Sequence, residues 1–344
     1  MPPSHDATGR EPSFVVIGSG SWGTAVASMI APTVRTTIWA RRPELVDEIN
    51  RDHRNSAYLP GLDLAPQLSA TADLRGAVGE ASALVVGVPS HGFRSVIASV
   101  ADEIRPNIPI ISLSKGIEAN TLMRMTEVTA DVLPNHATDV IGALTGPNLA
   151  REIIAGQPAA TVIAIGDEAT AAHLQHVFMN PRFRVYTNPD VIGSETAGAV
   201  KNVMAIAAGM AAGKGFGDNT LATLVTRALV EMTRLGVAMG GDVRTFSGLA
   251  GLGDLVATCN STQSRNHQVG FALGRGKALD DIVSDMSMVA EGVKSTRGVL
   301  ALAERHGVEM PIAAQVGRVL YDGVDPSDAL RELMTRAAKS EYGS

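Results

Sequence analysis

Apolar residues come in short β-branched runs through the first half of this chain, at residues 13–18, 36–39, 83–88, 108–113, 140–144 and 160–165. Segments with helical spacing lie between most of them. Such alternation forces crossover connections and predicts an α/β fold built on a largely parallel, doubly wound sheet. The pattern changes near Pro189. Beyond it no strand is expected, and residues 191–209 place Ile192, Thr196, Ala199, Val203 and Ile206 at helical spacing. Further helices are predicted over residues 220–240, 291–306 and 311–321. Three regions follow: a polar, proline-bearing arm at 1–12, an α/β domain at 13–189 and an all-α domain at 190–344.

Residues 12–34 carry no charge and follow Arg10, which superficially resembles a signal peptide or a membrane span. However, Gly18, Ser19, Gly20, Ser21, Gly23 and Thr24 occupy the middle of the stretch, Pro32 lies near its end, and leucine is absent. A spanning helix needs about 20 mostly apolar residues. A secretory segment has no use for a central glycine cluster. The stretch reads instead as a buried strand, a glycine turn and a helix.

The chain has 344 residues, of which 45% are apolar and 19% charged, with a formal net charge of −6. The length suits about two domains. Mild acidity argues against nucleic-acid or membrane-surface binding, yet leaves room for a few arginines around a small anion. The single cysteine, Cys259, excludes an intramolecular disulfide and a cysteine zinc cage, and fits a reducing cytoplasm. It reads as a small buried apolar residue. The eight histidines show no metal-ligand spacing, so no metal is expected.

The glycine cluster carries chemistry. Gly18-Ser19-Gly20-Ser21-Trp22-Gly23 follows the run Phe14-Val15-Val16-Ile17 and opens a small-residue helix at Thr24. A G-x-G-x-x-G alone is weak, but strand before and helix after supply the context of a Rossmann-like dinucleotide site. Gly18 allows the tight turn, Gly20 the backbone's approach to a pyrophosphate, and Gly23 close packing of helix on strand. The helix N-terminus offers N–H groups and positive dipole to the phosphates. An NAD site usually has an acidic residue at the end of the second strand to hold the ribose 2′-hydroxyl. Here that strand ends Trp39-Ala40-Arg41-Arg42. Two guanidiniums suit a 2′-phosphate and favour NADPH over NADH, although they also fit a solvated basic turn.

Lys201 falls opposite the apolar stripe of its predicted helix, beside Ser194, Gly198, Ala205 and Gly209. Small neighbours let another layer of protein approach, and a lysine among them would project between two domains. Desolvation there would favour the neutral amine and make such a group a usable proton donor. An ordinary exposed lysine is the alternative reading.

The run that begins Lys201-Asn202-Val203-Met204 is followed in order by Gly215-Phe216-Gly217-Asp218-Asn219, Glu231-Met232-Thr233-Arg234 and Gly248-Leu249-Ala250-Gly251-Leu252-Gly253-Asp254-Leu255. Then come Thr258-Cys259, Ser264-Arg265-Asn266, Val289-Ala290-Glu291-Gly292 and Gly307-Val308-Glu309-Met310-Pro311. The first half adds Val88-Pro89-Ser90-His91, Ser114-Lys115-Gly116-Ile117-Glu118 and Gly146-Pro147. Over residues 14–320 the chain closely resembles the bacterial NAD(P)-dependent sn-glycerol-3-phosphate dehydrogenase family. The resemblance implies interconversion of dihydroxyacetone phosphate and sn-glycerol 3-phosphate with NADPH or NADH, the product supplying glycerophospholipid synthesis. It makes Lys201 the catalytic lysine, giving a proton to the developing C2 alkoxide in reduction and taking one in oxidation. Lys115 matches a position that touches both substrate and cofactor, and two ammoniums in one cleft disfavour each other's charge. Asp254 matches a substrate-site carboxylate that could orient Lys201 or bond a substrate hydroxyl. Ser264, Arg265 and Asn266 match a substrate-site run whose hydroxyl, guanidinium and amide suit a phosphate dianion. Ser-Arg-Asn is also an ordinary helix N-cap, and the two readings are compatible.

Gly146 belongs to the substrate positions as well. Gly18, Gly20, Ser21, Trp22, Gly23, Arg41, Arg42, Lys115, Ala150, Arg265, Val289 and Glu291 make up the expected cofactor set. One departure stands out: the family usually has Ser or Thr after Gly-Pro and then an aromatic residue, where this chain has Asn148-Leu149-Ala150. Asn148 can still donate and accept, so it stays among the substrate positions. A 3-hydroxyacid or 6-phosphogluconate dehydrogenase would share the fold and a catalytic lysine, and the Asp254 and Ser264-Arg265-Asn266 block argues against both. A non-catalytic nucleotide sensor would not need Lys201, Lys115 and Asp254 together. A homodimer is compatible with all of this, and the sequence does not require one.

Overall fold

The computed structural model describes residues 12–286, 290–338 and 340–341. The predicted arm at 1–12 falls almost wholly outside them. Eight strands form one sheet: β1 (Ser13–Ile17), β2 (Arg35–Trp39), β3 (Ser69–Thr71), β4 (Ala83–Val86), β5 (Ile110–Ser112), β6 (Ile141–Thr145), β7 (Ala159–Ala164) and β8 (Phe183–Asn188). Their order is β3-β2-β1-β4-β5-β6-β7-β8. Neighbours are parallel throughout except at β6 and β7, which are antiparallel. The doubly wound sheet is therefore as expected up to β6, and then reverses.

Helices α1 (Ser21–Ile30), α2 (Pro43–Asp52), α3 (Leu74–Gly79), α4 (Ser90–Ala98), α5 (Met125–Val132), α6 (Ala150–Ile154) and α7 (Glu168–Phe178) fall between the strands. Central strands are buried on both faces, so they read as unbroken apolar runs. Along β1, Phe14 and Val16 enter one core layer while Val15 and Ile17 enter the other, the period-two alternation of a strand.

Two strands escaped the sequence reading. β3 has three residues and no apolar run. β8 buries Phe183 and Val185 while Arg184 and Tyr186 face solvent, the pattern of an edge strand.

After β8 the described residues contain helices only. Asp190 caps α8 (Val191–Gly213), accepting from the Gly193 N–H at 2.8 Å. There follow α9 (Asp218–Ala238), α10 (Val243–Phe246), a π-helical turn at Leu249–Gly253, α11 (Asp254–Asn260) and α12 (Arg265–Gly274). The chain ends with α13 (Leu279–Asp285), α14 (Glu291–Arg305), α15 (Pro311–Asp322) and α16 (Pro326–Met334). No described helix is long and apolar enough to cross a membrane.

α8 lies at the centre of the helical core and is buried around nearly its whole circumference. The expectation of a one-sided apolar stripe with Lys201 opposite it is thus corrected: there is no exposed face. Small residues serve close packing instead. A Cβ added at Gly209 would lie 2.1 Å from the His267 carbonyl oxygen, and one at Gly270 would lie 2.0 Å from that of Ile206. α8 and α12 therefore touch backbone to backbone. At the other end of the helix, Glu195 accepts from Arg124 Nη1 at 2.7 Å and from the Thr126 N–H at 3.1 Å, which ties α8 to the start of α5.

Candidate functional site

In open α/β sheets, ligands bind beyond the C-terminal ends of the strands where the strand order reverses. Here the order reverses between β1 and β4, and the glycine turn stands there. Gly18 has φ +113°, and a Cβ on it would come within 2.7 Å of the Gly87 carbonyl oxygen. A Cβ on Gly23 would lie 2.1 Å from the Gly18 oxygen. Only glycine fits at either position. Gly20 differs, because a Cβ there would meet nothing within 4 Å. The turn is packed tightly on its inner side and open at Gly20.

α1 begins at Ser21 without a side-chain cap at Gly20. Trp22 carries a buried indole N–H with no partner among the described residues. An uncapped helix start, open space at the middle glycine and an orphaned donor together fit a phosphate-bearing cofactor. Arg41 and Arg42 follow β2 on the same rim. Both are exposed, and Arg42 sits 5.9 Å from the centre of the Tyr58 ring. Ala150 opens α6, which packs against α1.

The second cluster joins the sheet to the helices. Asp254, 1% exposed at the start of α11, accepts from Lys115 Nζ at 2.6 Å and from Lys201 Nζ at 2.9 Å, one carboxylate oxygen to each. Lys115 also donates to the Gly146 carbonyl at 3.0 Å, and Lys201 to Thr258 Oγ1 at 2.7 Å. Four sequence-predicted positions, Lys115, Gly146, Lys201 and Asp254, thus meet at one point. Each ammonium has three donors, and each spends two here among the described residues.

Thr258 was legible only as part of a motif. Its position one turn after Asp254 on α11 lets it brace Lys201. Asn202 was missed likewise. It donates to the Lys115 carbonyl at 2.9 Å and accepts from Asn266 at 2.9 Å, while Asn266 accepts from the Gly292 N–H at 2.9 Å. The Asn266 amide is thereby a strut between α8, α12 and α14.

Ser264 caps α12, accepting from the His267 N–H at 3.3 Å. Arg265 follows it with an exposed side chain, close enough to Glu291 for the two charges to interact. Glu291 accepts from the Ser90 N–H at 3.1 Å and from Ser90 Oγ at 2.5 Å, at the start of α4. It therefore links the rim of the sheet to α14. Asn148 donates to Thr161 Oγ1 at 2.9 Å, and its own Oδ1 is buried with no partner among the described residues. Val289 lies outside the described residues.

Electrostatics follow from burial. Burial lowers the Lys115 pKa, the adjacent Asp254 opposes this and the Lys201 charge adds to it, leaving it at about 8. Burial disfavours the Asp254 carboxylate, yet Lys115 and Lys201 together outweigh that and hold its pKa below the usual range. At neutral pH the trio carries two positive charges against one negative. A desolvated site with net positive charge attracts an anion, and an ammonium with a spare donor can hand a proton to an oxygen that is gaining charge. Burial pushes the nearby Cys259 thiol up to about 12, so it is no nucleophile at neutral pH. No group of three metal-binding side chains occurs among the described residues.

As pH rises through about 8, Lys115 loses its proton and the trio falls from one net positive charge to none. The KM for a phosphorylated substrate should therefore climb between pH 7 and 9.5. Lys115→Met, with no proton to lose there, should give a high KM with little slope. A flat wild-type profile would show that the Lys115 charge does not hold the substrate.

Comparison with known proteins gives the family. The family model for the NAD-dependent glycerol-3-phosphate dehydrogenase N-terminus matches residues 13–171, and the model for its C-terminus matches residues 190–331. A glycerol-3-phosphate dehydrogenase [NAD(P)+] from Sphingopyxis alaskensis is 52% identical over 95% of this chain and 97% of its own. One from Thermobifida fusca is 50% identical over 95% of this chain and 98% of its own. The solved structure of glycerol-3-phosphate dehydrogenase from Coxiella burnetii superposes with a TM-score of 0.89 at 36% identity, covering 94% of this chain and 99% of that one. With both halves matched in order and the lysine and glycine motifs in place, the chain belongs to the NAD-dependent glycerol-3-phosphate dehydrogenase family.

Proposed function

We propose that this protein reversibly converts dihydroxyacetone phosphate to sn-glycerol 3-phosphate with NADPH or NADH. The observation that carries the reading is the buried Lys115–Asp254–Lys201 cluster, beyond the C-terminal ends of β5 and β6, in a sheet whose β1 ends in the open glycine turn. Residues 13–189 hold the cofactor and contribute Lys115, Gly146 and Asn148 to the substrate site, and residues 190–344 bring the catalytic lysine and the Ser264-Arg265-Asn266 run.

Gly18, Gly20, Ser21, Trp22 and Gly23, with Ala150, Val289 and Glu291, are the positions for the dinucleotide. When bound, the reduced nicotinamide supplies the hydride that reaches C2. Lys201 gives its proton to the C2 oxygen as charge develops there, and recovers one from the hydroxyl in the reverse direction. Asp254 holds Lys201 in place with Thr258 and holds Lys115 by its second oxygen. Lys115, Arg265, Ser264 and Asn266 receive the phosphate, with Gly146 and Asn148 closing the floor.

The test is nicotinamide absorbance with dihydroxyacetone phosphate, unphosphorylated dihydroxyacetone and several 3-keto acids. Turnover should be confined to the phosphorylated triose. Turnover with a 3-keto acid instead would assign a different reaction to the same fold.

The absence of an acidic residue at the end of β2, where Ala40-Arg41-Arg42 stands, supports NADPH as the better cofactor. Replacing Arg41 and Arg42 by Ser should weaken NADPH roughly tenfold or more and leave NADH nearly unchanged, because charge-assisted bonds to the 2′-phosphate are lost. Equal weakening of both cofactors would mean that the arginines touch a shared group.

A further inference from the structure

We propose that Asn55 is the positioning residue of the dinucleotide turn: a buried amide that fixes which way the Ser19–Gly20 peptide faces. The inference rests on the cofactor reading above and deepens it. Asn55 has no solvent exposure. Its Nδ2 donates to the Ser19 carbonyl at 3.0 Å and to Thr24 Oγ1 at 2.8 Å, while Thr24 Oγ1 itself donates to the Ser19 carbonyl at 3.2 Å. Two side chains thus converge on one carbonyl between the first two glycines of the motif.

The physical consequence follows from peptide planarity. In a trans peptide the C=O of residue i and the N–H of residue i+1 point in opposite directions. No cis bond occurs among the described residues. With the Ser19 oxygen drawn inward to Asn55 and Thr24, the Gly20 N–H must face the other way. Gly20 has no Cβ, and the side on which one would stand is open. Without these two donors, glycines on both sides of Ser19 would leave this peptide free to rotate; without the amide, only the longer Thr24 bond would hold it. A donor aimed before its anion arrives costs no ordering on binding.

Asn55 is itself held rigidly. Its main-chain carbonyl accepts from the Tyr58 and Leu59 N–H groups at 3.2 and 2.8 Å, and the Leu64 N–H closes the loop on the His53 carbonyl at 2.8 Å, while the side-chain Oδ1 has no partner among the described residues. Leu59 and Leu64 are buried in the layer that also holds Val16 and Val26. The same loop meets α1 a second time, where Ser21 Oγ donates to the Tyr58 carbonyl at 3.0 Å.

Asparagine is suited to the role because one NH₂ group reaches two acceptors at once. Asp would set an acceptor against the Ser19 carbonyl.

The experiment is fluorescence titration of the full chain with NADPH and NADH, using Asn55→Asp and Thr24→Val, alongside steady-state kinetics and thermal melts. Asn55→Asp should weaken both cofactors by one common factor, roughly ten- to a hundredfold, and Thr24→Val by a smaller common factor. The cofactor KM should rise with Kd, while kcat at saturating cofactor falls far less. A merely structural role would lower the melting temperature and leave the Kd of the folded protein unmoved, which would overturn the proposal. Selective loss of NADPH would also overturn it, since the pyrophosphate is common to both cofactors. If Asn55→Asp does not fold, Thr24→Val decides alone, and a wild-type Kd there refutes the role. A wild-type protein that binds neither cofactor would overturn the cofactor reading itself, and this inference with it.

Discussion

Lys201→Ala should lose roughly 10²- to 10⁴-fold in turnover while binding NADPH and NADH as the wild-type protein does. The Lys201 ammonium bonds Asp254 and Thr258, both on α11, and makes no bond to the glycine turn. Removing it leaves Asp254 still paired with Lys115 at 2.6 Å, so the buried carboxylate keeps a counter-charge and the fold is little disturbed. The loss should therefore appear in kcat at saturating substrate and cofactor. Cofactor titration and thermal melting of the same preparation separate this outcome from general damage. Near-normal turnover in a folded Lys201→Ala protein would remove the residue from the mechanism.

Asp254→Ala should be damaging in a different way. It strands Lys115 and Lys201, whose side chains are only 15% and 9% exposed, without their shared counter-charge. Breaking a buried ion pair in this manner typically costs about 3–5 kcal/mol of stability. The sign of its pH dependence is fixed by linkage. A lysine whose folded-state pKa is depressed binds fewer protons in the native protein than in the unfolded chain, so stability rises with pH through that value. Lys115 already stands at about 8 with Asp254 present, and loss of the carboxylate removes the influence that holds it up. Urea unfolding should show a stability deficit, relative to wild type, that is large at pH 6.5 and shrinks by pH 9.5. An equal deficit at both values would assign the loss to packing rather than charge.

The sheet was legible where chemistry is local. Phe14-Val15-Val16-Ile17 followed by three spaced glycines specifies strand, turn and helix within about ten residues, because both faces of a central strand are buried and the turn admits no side chain. β8 was not legible, since an edge strand with Arg184 and Tyr186 outward carries only two inward residues to signal it. The reversal at β7 was equally hidden, because strand direction is set by the connection and not by the strand's own residues. The lysine cluster shows the limit most clearly. Lys115 and Lys201 reach Asp254 across 139 and 53 residues, a distance no periodicity spans. Family motifs identified these residues, but only the fold shows one carboxylate serving both. Asn55 and Thr258 act through two hydrogen bonds each, made to residues distant in sequence or on a neighbouring turn, and a lone polar residue announces nothing until its neighbours are known.

The glycine contact between α8 and α12 bears on how the proposed site keeps its spacing. Lys201 rides on α8, and Ser264, Arg265 and Asn266 open α12. Side chains interleaved between two helices can change rotamer and let the axes slip by fractions of an ångström. Here the Gly209 and Gly270 contacts bring main chain directly against main chain, with no rotamer left to adjust. On the proposed assignment, the spacing between Lys201 and the Ser264-Arg265-Asn266 run is thus set by main-chain contact rather than by adjustable side chains. A side chain introduced at Gly209 or Gly270 would therefore shift one helix as a whole against the other, and the proposed site with it.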